Sequence, residues 1–171
     1  MIVLGCDPGA CTALVIRSGD NLLSYRLLKF GTDGLERRLG ECIEATVAAA
    51  EEMRGAGLFT VDRFVVEGAV APTAYHRGRL RMIDPAPIIA TAHLVGALAA
   101  HGARIVPPAG FGAPVCPPGT DPRVARRILE ASYPAALIGD RETTGAGKSP
   151  HQHLRAAWDL CASARRQEPR P

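Results

Sequence analysis

The first apolar run, Ile2-Val3-Leu4, is continuous and does not alternate with polar residues, so a strand buried on both sides is predicted. It leads into Gly5-Cys6-Asp7-Pro8-Gly9, which carries a carboxylate to the strand end and then turns the chain. Ala13-Leu14-Val15-Ile16 reads as the antiparallel return. After the polar turn Arg17-Ser18-Gly19-Asp20, Asn21 to Phe30 resumes with Leu22, Leu23, Leu27 and Leu28. The pattern predicts a meander of three strands near residues 2–6, 12–17 and 22–29.

Leu35, Leu39, Cys42, Ile43, Thr46, Val47 and Ala50 then recur at helical spacing, which predicts a helix capped by Thr32 or Asp33 and ending before Gly55-Ala56-Gly57. Thr60 to Val66 reads as another core strand, and Val65-Val66-Glu67-Gly68 places a second carboxylate at its end. Asp84-Pro85 opens a helix through Ile88, Ile89, Ala92, Val95, Leu98 and Ala99 to His101-Gly102. Ala103 to Val106 is a short strand, and the proline and glycine density from Pro107 to Pro118 excludes regular structure. Asp121-Pro122 starts a helix to Ser132 or Tyr133, Arg141 to Ser149 is a loop, and a last helix from Pro150 carries Leu154, Ala157, Trp158, Cys161 and Ala162. Hairpins give antiparallel neighbours and helical crossovers give parallel ones. The predicted fold is therefore α/β, a mixed five-stranded sheet with helices on both faces, in one domain over residues 1–165 with a frayed tail at 166–171.

Composition narrows the setting. A chain of 171 residues can bury its own core, and a formal charge of +3 permits a nucleic-acid partner without demanding one. The five cysteines form no CxxC pair and are odd in number, which favours a reduced cytoplasmic setting without a thiolate metal site. No basic leader precedes the first strand and no apolar run is long enough to cross a bilayer, so a soluble protein without a membrane partner is expected.

Asp7 and Glu67 end strands expected to be adjacent, and ligands of open α/β sheets collect outside those carboxyl ends. Asp159 lies in the last helix among Ala156, Ala157, Trp158, Leu160, Cys161 and Ala162, where an acid needs a partner. Three oxygen ligands without cysteine suit Mg2+ or Mn2+. Two such ions about 4 Å apart serve in-line phosphodiester hydrolysis without a side-chain nucleophile. That reading requires Asp7, Glu67 and Asp159 to meet in one pocket. His151 and His153 open the same helix, and either can join the site as a ligand or proton carrier. The densest basic stretch is Tyr75, His76, Arg77, Arg79 and Arg81, and Lys148 and Arg155 stand near the last helix; such groups would position a phosphate backbone. Gly147-Lys148-Ser149 is not a nucleotide loop, because Glu142 stands where the pattern needs glycine and Pro150 follows at once.

Gly5-Cys6-Asp7-Pro8-Gly9, Val65-Val66-Glu67-Gly68 and the stretch from His153 to Ala162, at these separations, resemble the RuvC-type Holliday junction resolvases of the RNase H-like nuclease superfamily. The resemblance implies a homodimer that binds branched DNA and nicks two strands of a four-way junction symmetrically with divalent metal, two ions per site. It matches Asp7 to the family's first-strand acid, Glu67 to its fourth-strand acid and Asp159 to its final-helix acid. The family places a second acid or a histidine three residues before the last acid, where this chain has Ala156. The sequence departs from the pattern there, and His153 or His151 is left to substitute. The resemblance also assigns Ala69 to Arg81 to DNA contact. Related readings are another RNase H-like nuclease acting on flaps or RNA-containing duplexes, and a non-catalytic nucleic-acid-binding protein of the same fold.

Overall fold

The meander forms as β1 (Ile2–Asp7), β2 (Cys11–Ser18) and β3 (Asn21–Lys29), with β1 and β2 antiparallel and β2 and β3 antiparallel. The computed structural model describes residues 1–69, 75–76, 79–80, 84–108, 111, 119–139 and 149–166, omitting the side chains of 75, 76, 79, 80, 165 and 166. The turn between β1 and β2 is closed by the Thr12 hydroxyl, which donates to the Gly9 carbonyl at 2.9 Å and accepts from the Gly9 amide at 3.1 Å.

The predicted single helix after β3 is two: α1 (Thr32–Arg37) and α2 (Leu39–Gly55), broken at Arg38. Neither Thr32 nor Asp33 caps it. The chain enters from Gly31 at φ 72°, a left-handed conformation that favours glycine. The apolar spacing runs straight across the break, so periodicity does not reveal it; Gly34 and Gly40, each about 1 kcal/mol poorer than alanine within a helix, flank the break.

β4 (Arg63–Glu67) starts three residues later than expected and pairs parallel with β1, Cys6 opposite Val66. A two-stranded hairpin of β5 (Tyr75–His76) and β6 (Arg79–Leu80) lies in the basic stretch, where no strand was expected. Then come α3 (Ala86–Ala100), β7 (Arg104–Val106) parallel to β4, and α4 (Pro122–Ser132), capped as predicted by Asp121 accepting from the Arg123 and Val124 amides. A short 3-10 turn at Ala135–Leu137, absent from the sequence reading, precedes α5 (Pro150–Arg166). The loops predicted at 107–118 and 141–149 fall almost wholly outside the described residues.

The main sheet has the order β3-β2-β1-β4-β7, mixed and covered on both faces. Side chains alternate across a strand, so residue parity assigns each to a face. Leu4, Cys6, Leu14, Ile16, Phe64 and Val66 pack with α2 and α3 on one face. Val3, Ala13, Val15, Val65 and Val106 turn to the opposite face, against residues of α4 and α5. By the same parity Gly5, Asp7 and Glu67 belong to the face that α5 covers.

Candidate active site

Gly5 sets how closely α5 lies on β1. A Cβ there would stand 2.5 Å from the Ala157 carbonyl oxygen and 2.7 Å from Cys161 Sγ. Only a residue without a side chain allows that approach, and a glycine inside a buried strand is the sequence signal for it. The first turn of α5 is thereby brought over the end of β1. There His153 Nδ1 lies 2.7 Å from Asp7 Oδ2. An ionised carboxylate can only accept, so Nδ1 carries the proton of this bond, and Nε2 accepts in the neutral ring and donates in the charged one.

Glu67 lies on the neighbouring strand, its Cα in register with Val106 on the other side. Burial, then the negative charge of Asp7, push its carboxyl up to about 7, and His153 opposes the rise. Asp7 is likewise raised by burial, while the hydrogen bond and charge of His153 pull it down. His153 is raised chiefly by its bond to Asp7, against desolvation, with a smaller contribution from Glu67. Asp7, Glu67 and His153 thus form one electrostatic unit, half-sheltered, at the carboxyl ends of β1 and β4 and the start of α5.

The other sequence-predicted residues stand elsewhere. Asp159 is given to the Tyr133 hydroxyl, which donates to its Oδ2 at 2.9 Å. Six residues along a helix correspond to about 9 Å of rise and a rotation of about 120° away from the starting direction, so Asp159 faces away from the side on which His153 meets Asp7. The expected meeting of three acids is replaced by two acids and a histidine. His151 is also turned away, with its backbone amide donating to Ser149 Oγ at 3.2 Å and its ring against Gly139. Arg155, expected at DNA, is 1 % exposed, with its guanidinium 5.6 Å from the Tyr133 ring centre. A fully buried guanidinium cannot reach a DNA backbone, so that assignment is corrected. Arg77, Arg81 and Lys148 lie outside the described residues, as do the side chains of Tyr75, His76 and Arg79; only the strand pairing of the last three is defined. Gly5 and Tyr133 were not singled out from sequence.

A structural comparison bears on this arrangement. Thermus thermophilus RuvC in complex with Holliday junction substrate matches with a TM-score of 0.53 at 17% sequence identity, over 97% of this chain and 96% of that chain. The chain has the RuvC-type fold. A second Thermus thermophilus RuvC structure matches with a TM-score of 0.49 at 15% identity, over 94% of this chain and 91% of that one. The sequence matches no protein-family model and no curated protein. Of the two histidines that open α5, His153 is the one that reaches Asp7.

The donor chemistry fits a hard divalent cation: two carboxylates, both raised by burial and Glu67 further by the charge of Asp7, with an imidazole beside them. The side chains are not spread around a common centre, since Asp7 and His153 are bonded to each other, and no group of three His, Cys, Asp or Glu residues among the described residues is arranged to hold an ion. No helix among the described residues is long and apolar enough to cross a membrane.

Two outcomes follow from the site as built. Asp159→Asn is expected to leave any metal-dependent nicking within about threefold of wild type. Tyr133→Phe is expected to lower stability by about 1–2 kcal/mol through loss of a bond to a charged acceptor, with nicking unchanged. Chemical denaturation and a nicking assay on both variants check this; loss of cleavage in Asp159→Asn would return that acid to the site.

A further outcome concerns pH. The Glu67 carboxyl is raised from 4.5 to about 7 in the fold, so the native state holds more protons than the unfolded chain across that interval and stability falls as pH rises through it. Asp7, also raised, acts in the same sense above its ordinary value. His153, raised by its partner, contributes stability present below its ordinary value near 6.5 and lost as pH rises through its higher folded value. All three lower stability from pH 5 to pH 8, by about 2 kcal/mol for Glu67 after discounting its partial exposure, or a Tm drop of about 4–8 °C. Thermal melts in chelator should show this decline, and Mg2+ or Mn2+ should raise Tm more at pH 8 than at pH 5. An equal cation effect at both values would remove the coupling.

Proposed function

We propose that the chain is a divalent-metal-dependent DNA endonuclease that acts on branched DNA and cuts four-way junctions by paired symmetric nicks. The observation that carries this reading is the convergence of Asp7, Glu67 and His153 at the strand ends of a RuvC-type fold. Asp7 and Glu67 are the residues that would hold Mg2+ or Mn2+. When bound, the cation supplies Lewis-acid polarisation of the phosphate and activates water for in-line attack. Asp7 fixes the His153 ring through Nδ1, which leaves Nε2 to take or return a proton at the reacting phosphate. The burial that raises Glu67 also keeps bulk water from screening the charges in the site.

Paired nicking needs two copies of the site, and the chain is proposed to act as a homodimer. Support comes from α3, which is apolar nearly all round: Ala90, Leu94, Val95 and Leu98 are buried while Ile89, Ala92 and Gly96 stand exposed on its outer side. Such a helix ordinarily has both sides covered. The basic stretch Tyr75, His76, Arg77, Arg79 and Arg81, with Lys148, is proposed to meet the DNA backbone, and the cytoplasm of a bacterial or phage-infected cell is the compartment this reading implies.

The test compares a synthetic four-way junction, a flap, plain duplex and an RNA–DNA hybrid with Mg2+ or Mn2+. Paired nicks at symmetric positions of the junction are expected. Cutting of the hybrid alone would select another RNase H-like nuclease, and binding without cleavage would select a non-catalytic DNA-binding protein.

A further inference from the structure

We infer that each chain holds one divalent cation in the absence of DNA, in place of the two expected from the resemblance. The inference rests on the nuclease reading and concerns what this chain's own residues allow. A two-ion centre needs a carboxylate that bridges the ions and further oxygen ligands on the outer side of each. Asp7 and Glu67 are the two acids that converge, and Asp7 Oδ2 is already bonded to His153. The next position on that side of α5 is Ala156, 4 % exposed, whose methyl group ligates nothing. Asp159 is turned to Tyr133, and His151 packs on Gly139. Among the described residues a second ion would therefore lean on a carboxylate already in use, with water for the rest.

Charge leads to the same count. Asp7 and Glu67 carry two negative charges when ionised, and one divalent cation neutralises them. A second would leave two uncompensated positive charges in a half-sheltered site beside the His153 ring. Unbalanced charge out of bulk water costs several kcal/mol, enough to keep the second ion in solution.

The experiment is Mn2+ titration of the full chain, free of DNA, with bound ion counted by calorimetry and the bound signal read by electron paramagnetic resonance. One ion per chain with the signal of an isolated Mn2+ is expected, and Asp7→Asn should abolish it. Ala156→Asp, which supplies an oxygen one turn from His153, should bind two ions with an exchange-coupled signal. If that variant does not fold, the wild-type count still decides. Two coupled ions in the wild type would overturn the inference and leave the nuclease reading standing. No ion, or one ion that survives Asp7→Asn, would overturn both.

Discussion

Asp7→Asn is expected to reduce nicking of a four-way junction by about 10³-fold or more while leaving junction binding intact. The change is isosteric, so His153 keeps a hydrogen-bonding neighbour and the fold keeps its packing. What is lost is the negative charge, and with it a ligand whose contribution to charge stabilisation is several kcal/mol, each 1.4 kcal/mol being about tenfold in rate. Affinity for DNA should stay the same or tighten slightly, because one negative charge is removed from a surface proposed to face a polyanion. Gel-shift titration and single-turnover nicking on the same protein preparation separate the two effects. Retained cleavage would move the chemistry away from β1.

Gly5→Ala is expected to destabilise the protein by about 3 kcal/mol, at the upper end of what overpacking a core costs. The new methyl would sit 2.5 Å from a backbone oxygen of Ala157 and 2.7 Å from Cys161 Sγ. The sulfur can yield and the helix backbone cannot without moving α5 as a body. The expected Tm loss is about 6–12 °C at about 2–4 °C per kcal/mol for a chain of this size. Since His153 rides on the first turn of that helix, nicking at a temperature where the variant is fully folded should also fall, by about 10²-fold for a shift near 1 Å. Cys161→Ala added to Gly5→Ala should recover part of the stability, and little of the rate. A Tm unchanged within about 2 °C would mean that α5 is not seated as described.

Strand order, sheet type and the pairing of β1 with β4 follow closely from the apolar runs and turn residues, because each core strand is bounded by punctuating residues and each crossover is long enough to carry a helix. The side on which a strand-end acid faces was not legible. Ile2-Val3-Leu4 is apolar throughout, with Val3 and Leu4 buried on opposite faces, so its sequence has no alternation from which to assign Asp7 to the α5 face. For Asp159 the physical premise holds and the partner differs: an acid among apolar residues does need one, and it is a tyrosine hydroxyl. Helical phase decides between His151 and His153, and that phase depends on where α5 starts. With the first turn beginning at Pro150, His153 faces Asp7 and His151 faces Gly139. Arg155 illustrates a different limit, since a guanidinium stacked in the core and one waiting for phosphate carry the same letter.

The central proposal is that Asp7 and Glu67, without Asp159, hold the metal, with His153 bonded to Asp7 beside them. Crystals soaked in Mn2+ and measured at a wavelength where manganese scatters anomalously test it most directly. The account predicts a peak in direct contact, at about 2.1 Å, with carboxylate oxygens of both Asp7 and Glu67. A peak on Asp159 with Tyr133 nearby, or none near Asp7, would contradict it.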